Sequence, residues 1–183
     1  MNDKKIEELA RQIKSCKKCR LWKTRKNAVP GEGPSHARLF FVGEAPGKNE
    51  DETGRPFVGQ SGKLLSKFLR DAGIDRHAVF ITSILKCRPP GNRKPKRDEV
   101  RECKPYLLQQ IKAVRPELII LLGSVAIESM LGNHERLNKM HGQTFRIGDY
   151  NYFITYHPAA ARRFPKTMEK MKQDFAKLKG LIR

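Results

Sequence analysis

The chain has 183 residues, 38% of them hydrophobic, with 38 Lys and Arg against 19 Asp and Glu, a formal charge of +19. That length suits one domain with a real core, residues 1–183, and no apolar run approaches the roughly 20 residues that cross a membrane. The charge excess favours a polyanion such as nucleic acid, whose binding releases counterions. An anionic membrane surface is disfavoured, because no helix pairs a basic face with a long exposed apolar one.

The start, MNDKKIEELARQIK, is charged and reads as an amphipathic helix rather than a signal peptide. Ile6, Leu9, Ala10 and Ile13 recur at helical spacing, and the helix ends near Cys16. RLFFVG (Arg38 to Gly43) is a short apolar run closed by glycine, a buried strand. GKLLSKFLRDAG sets Leu64, Leu65, Phe68, Leu69 and Ala72 on one helical face, with Gly73 as its stop. AVFITSIL (Ala78 to Leu85) is a second strand. The next helix takes Asp98 as N-cap, with Pro105 predicting a kink or a later start. PELIILLG (Pro116 to Gly123) is a third buried strand, followed by a short helix capped by Ser124. TFRIGDYNYFITYHP is a hairpin turning at Gly148 and Asp149, its second strand ending at His157. A basic amphipathic helix closes the chain. Apolar strands alternating with helices predict an α/β fold, a mostly parallel sheet covered on both faces.

Ligands of open α/β sheets sit beyond the carboxyl ends of the strands. There this chain places Glu44-Ala45-Pro46-Gly47, then Ser83, Lys86 and Cys87, then Gly123 and Ser124, then His157-Pro158. The loop after the first strand, GEAPGKNEDETGRPFVGQSGKLL, crowds glycines among four carboxylates. Its glycine spacing matches neither a P-loop nor a dinucleotide fingerprint. Stiff prolines and permissive glycines suit a tight pocket for a flat ligand instead.

Cys16-x-x-Cys19 is a chelating pair, and Cys87 and Cys103 lie far along the chain in basic, Pro-rich surroundings that are hard to bury. Four thiolates fit either tetrahedral zinc or an iron–sulfur cluster, in a structural role. In the cytoplasm, where this chain is expected at the nucleoid, they stay reduced.

Taken together, the long loop, KCRPPGNRKP, LLGSVA, HPAA and the order of the cysteines resemble the family 4 uracil-DNA glycosylases, the iron–sulfur branch of that superfamily. The resemblance spans nearly the whole chain. It implies a three-layer α/β/α fold around a four-stranded sheet, and a [4Fe–4S] cluster on Cys16, Cys19, Cys87 and Cys103. It implies an enzyme that flips uracil out of single- or double-stranded DNA and hydrolyses its glycosidic bond, and the chain is expected to act as a monomer. Carried over by motif, Glu44 positions the water and faces the positive sugar. Phe57 stacks on the base, and His157 donates to the uracil oxygen where charge gathers. Gly43, Ala45, Gly47 and Ser83 would border the base. Arg88, Arg93, Ser124, Arg162 and Arg163 would meet phosphates. His36, His77, His134 and His141 have no such context and read as surface residues.

Two departures stand out. Where the family usually has Thr-Asn, this chain has Thr82-Ser83. One rotatable hydroxyl reads a base edge less fully than a planar amide, so weaker uracil activity, or a range that includes other deaminated bases, is expected. An alternative reading is a catalytically weak iron–sulfur relative that binds damaged or single-stranded DNA. After His157-Pro158, small alanines and then Arg162 and Arg163 occupy the place of a large apolar wedge, a role Phe164 would take.

Overall fold

Two uninterrupted apolar runs form the centre of the molecule. The computed structural model describes residues 2–132 and 137–181. In it, β1 (Leu39–Gly43) and β3 (Leu118–Leu122) are buried along their whole length. β2 (Phe80–Ser83) is equally buried. Such strands are covered on both faces, so helices must pack above and below them.

In chain order the elements are α1 (Asn2–Ser15), β1, α2 (Lys48–Thr53), α3 (Gln60–Asp71), β2, α4 (Arg97–Val114) and β3. They continue with α5 (Ser124–Leu131), α6 (Leu137–Met140), β4 (Thr144–Ile147), β5 (Tyr150–Thr155), α7 (Pro158–Arg163) and α8 (Pro165–Leu181). The sheet order is β2-β1-β3-β5-β4. Four strands are parallel, and β4 adds an antiparallel fifth at the edge, one more than the resemblance implied. The extra strand is the first arm of the hairpin, largely exposed, paired with β5 alone.

Side chains of a strand alternate between faces, and here the alternation divides the core in two. Phe40, Val42, Ile119, Leu121 and Ile154 pack on one face with Ile13, Leu107 and Ile127, under α1, α4 and α5. Phe41, Ile120, Leu122 and Phe153 pack on the other with Leu65, Phe68, Ala161 and Phe175, under α3, α7 and α8. This is the three-layer α/β/α arrangement. Register brings the carboxyl ends of the parallel strands level, pairing Gly43 with Ser83 and Leu122 with Thr155.

Several local expectations are corrected. α4 runs unbroken through Pro105 and starts at Arg97, with Lys96 as N-cap and Asp98 in the first turn. Pro105 lies on the exposed face, so the carbonyl it leaves unpaired can turn to water. Gly123, not Ser124, caps α5, because only a residue without Cβ fits there: its φ is +86° and a Cβ would lie 2.8 Å from that of His157. The acidic loop contains a helix, α2, that apolar periodicity could not reveal, because it has only six residues. β2 is shorter than expected, although Ile84 and Leu85 stay buried and donate to the carbonyls of Gly43 and Glu44. β5 likewise stops at Thr155, two residues before His157.

Candidate active site

The level strand ends open into one cleft of about 540 Å³. Glu44, Ala45, Gly47, Phe57, Ser83, Ser124 and His157 all line it, contributed by four different strand–loop junctions. Gly43 lies directly beneath: a Cβ there would fall 2.6 Å from the Phe57 ring and 3.2 Å from the Ser83 hydroxyl. So glycine is required for the ring to lie over the end of β1.

Phe57 is held in an unusual pose. Its φ is +51°, a left-handed conformation that costs a non-glycine residue energy. Gly62 makes room for it, since a Cβ there would come within 1.7 Å of the Phe57 carbonyl oxygen. The ring centroid lies 5.8 Å from that of His157, tilted by 34°. A planar ligand in the cleft would meet the aromatic face and the imidazole together.

His157 caps α7. Its Nδ1 accepts a hydrogen bond of 3.1 Å from the amide of Ala159. Close packing depresses its pKa from the ordinary range to about 4, with the Glu50 carboxylate opposing the shift. The ring is therefore neutral near pH 7. With Nδ1 accepting, the proton sits on Nε2, which becomes a donor.

The Glu44 carboxylate makes no hydrogen bond or ion pair among the described residues. Burial raises its pKa above the usual carboxylate range, while the Lys94 ammonium pulls the other way. A partly desolvated, unpartnered carboxylate is a stronger base than a surface one.

The other acids of the loop have structural tasks. Glu50 accepts from the amides of Val58 (2.9 Å), Gly59 (2.8 Å) and Gly47 (3.1 Å), tying both ends of the loop together. Asp51, buried, accepts from the amide of Lys26 at 2.9 Å. Sequence reasoning did not single out Glu50. Its signal was its place three residues after Gly47, the helix position whose side chain reaches back to the cap.

Among the expected phosphate contacts, Arg93, Ser124 and Arg163 line the cleft, whereas Arg88 and Arg162 do not. Arg88 donates to Asn92 Oδ1 at 2.7 Å. Arg93 forks onto the fully buried Glu99 carboxylate at 2.9 and 2.6 Å, so a phosphate contact competes with a bidentate ion pair. Phe164, 59% exposed, stands at the cleft margin. Lys86, expected on the rim, is instead 1% exposed. Its Nζ donates to Ser83 O (2.9 Å) and Gln110 Oε1 (2.7 Å), as well as to the Thr82 hydroxyl. His36 and His77 are exposed as expected, and His134 lies outside the described residues. His141 is half-buried, with Nδ1 2.9 Å from Asp174, because the turn into β4 packs against α8.

Behind this cleft, Cys16, Cys19, Cys87 and Cys103 converge on a separate small cavity, walled also by Ile13, Trp22 and Tyr106. No three His, Cys, Asp or Glu side chains among the described residues are arranged to hold a single metal ion. Arg25 donates to Cys87 Sγ at 3.0 Å and the Lys86 amide to Cys103 Sγ at 3.2 Å. Burial pushes the Cys103 thiol up to about 12 and raises Cys87 and Cys19 as well. Thiols so raised ionise only beside a cationic centre, which is the chemistry of a thiolate-bound metal group.

The family model described as the uracil DNA glycosylase superfamily matches residues 30–179. The chain is 46% identical to the type-4 uracil-DNA glycosylase of Saccharolobus solfataricus, covering 97% of this chain and 86% of that protein. It is 44% identical to the type-4 enzyme of Sulfurisphaera tokodaii (96% and 84% covered). Against that of Pyrobaculum aerophilum it is 46% identical (96% and 93% covered).

Proposed function

We propose, on the premise that the chain belongs to the uracil-DNA glycosylase superfamily, that its rim cleft receives a base flipped out of DNA and carries out the hydrolysis. The protein is a uracil-DNA glycosylase of DNA repair, hydrolysing the bond between base and deoxyribose. The assignment of roles to its residues is supported above all by the His157–Ala159 hydrogen bond, which makes the imidazole a donor within the same cleft as a single free carboxylate.

The chemistry follows from that pairing. Ordinary glycosidases need two carboxylates, one of them to protonate an alkoxide leaving group. Uracil leaves as a delocalised anion, so a neutral Nε2–H aimed at its oxygen replaces the acid. As the glycosidic bond breaks, its electron pair passes to the base. Glu44 faces the positive charge left on the sugar, orients the attacking water and takes up its proton. Phe57 stacks on the base, and Gly43, Ala45, Gly47 and Ser83 border its edge. Ser124 and Arg163 would meet the flanking phosphates, with Phe164 filling the gap left in the duplex.

The four cysteines would hold a [4Fe–4S] cluster. When bound, it supplies a cross-link among three distant segments: the loop after α1, the loop after β2, and α4. Joining Cys87 to Cys103 would brace the Pro-rich loop between them, whose Lys94 acts on Glu44 through its charge. As a monomer, the protein would carry the complete site within one chain.

The test is release of base from uracil-, hypoxanthine- and xanthine-containing oligonucleotides, read as strand cleavage after alkali. Cleavage at uracil with wild-type protein, lost in Glu44→Ala while DNA binding persists, supports the assignment. Equal losses of binding and cleavage would remove Glu44 from its catalytic role.

A further inference from the structure

The segment 55–58 is a partition. Phe57 faces the base cleft on one side and, together with Val58, forms the wall of a second cleft of about 420 Å³ on the other. Nothing in the mechanism above uses this second cleft. Arg55, Lys63, Lys67, Arg70 and Arg76 surround it, with the Ser66 hydroxyl between them. Lys63, Lys67 and Arg70 follow one another at four and three residues along α3, so they share one face of the helix.

Part of this cluster is built rather than merely basic. Glu32 is anchored to the edge of β2 by paired backbone hydrogen bonds with Ile81. Its carboxylate holds Arg55 at 2.9 Å and Arg76 at 3.2 Å. Arg76 also donates to the Pro56 carbonyl (2.9 Å) and the Ser66 hydroxyl (3.2 Å), fixing a mostly buried guanidinium in the cleft floor. Lys67 pairs with Asp71 at 2.6 Å. Lys63 and Arg70 are both exposed, and their side chains have no ion pair or hydrogen bond among the described residues. Five cations thus face two carboxylates, and two of the cations are free. Such a surface attracts an anion of extended shape carrying several charges.

We infer that this cleft is a second phosphate track, holding backbone phosphates of the same DNA strand a few nucleotides from the base seated behind Phe57. The inference rests on the glycosylase reading for the identity of the polyanion. Lys63 and Arg70 are its free contacts, and Arg55 and Arg76 are its fixed floor.

The experiment uses the full chain, wild type and Lys63→Ala/Arg70→Ala, with the melting temperature confirming that the variant folds; Arg70→Glu alone serves if it does not. Fluorescence anisotropy on unmodified and uracil-containing oligonucleotides gives affinity across a salt series. Losing two phosphate contacts should flatten the slope of log affinity against log salt by about 1.5 and weaken binding about tenfold at low salt. Single-turnover excision at saturating protein should stay within about twofold of wild type. Trimming the oligonucleotide on one side of the uracil should abolish the difference between variant and wild type, while trimming the other side should not. An unchanged salt slope overturns the inference, and so does an equal loss on every oligonucleotide length, which would mark diffuse charge. A wild-type chain that shows the length-dependent effect yet releases no uracil would defeat the glycosylase reading and leave the track standing.

Discussion

His157 Nδ1 accepts the amide hydrogen of Ala159 at 3.1 Å, so one backbone bond decides which imidazole nitrogen carries the proton. The same turn that begins α7 therefore prepares a neutral donor at Nε2, without a carboxylate partner to orient it.

Replacing His157 by Ala should lower single-turnover uracil excision about 10²–10³-fold, the usual cost of removing one donor to a developing anion. Affinity for uracil-containing DNA should change little. Rapid-quench excision alongside anisotropy separates the two, and a parallel loss of binding would contradict a transition-state role.

His157 also sets an acid limit on the fold. Its pKa is about 4 when folded, against about 6.5 unfolded, so below pH 6.5 the unfolded chain takes up a proton that the native state refuses. Stability is highest above pH 6.5 and falls as pH drops towards 4, by up to about 3 kcal/mol from this residue. Urea titrations at pH 7 and pH 4.5 should show that His157→Asn loses less stability over this interval than wild type.

In the role proposed for it, Glu44 must be ionised to orient water, and its pKa is raised by burial. Excision should therefore switch on, as pH rises, above the range of an ordinary glutamate. Lys94 opposes the shift, so Lys94→Ala should move that rising limb to still higher pH. A single-turnover pH profile of both proteins measures it; a limb that moves down, or not at all, removes Lys94 from this role.

Ser83 offers one hydroxyl at the strand end where a planar amide would read two uracil atoms. Ser83→Asn should raise excision of uracil relative to hypoxanthine and xanthine by roughly tenfold, the worth of about one net hydrogen bond. Competition assays on mixed substrates provide the ratio, and an unaltered ratio would place base discrimination elsewhere.

The purified protein should carry a brown chromophore bound through the four thiols. Cys103→Ser should diminish its visible absorbance and destabilise the chain by about 2–5 kcal/mol, comparable to losing a cross-link between distant segments. Full stability without the chromophore would show that α1 and α4 hold together without the cluster.

Much of this was legible along the chain. Apolar runs such as Phe40 to Val42 declared buried strands, α3 and α8 showed their inward faces, and the residues after each strand were bound to meet, because parallel connections return every carboxyl end to one side. Glu44, Ser83 and His157 could be placed at one rim on that ground alone, and Phe57 only through the motif that carries it. Their chemical states could not, for these depend on partners that only folding brings near. Glu50 reaches Val58 and Gly59 across a loop, Lys86 finds Gln110 on another helix, and Arg93 is taken by Glu99. Periodicity records which side of an element faces the core, whereas the direction of a hydrogen bond, the depth of a charge and the choice between two ring nitrogens are properties of the packed chain.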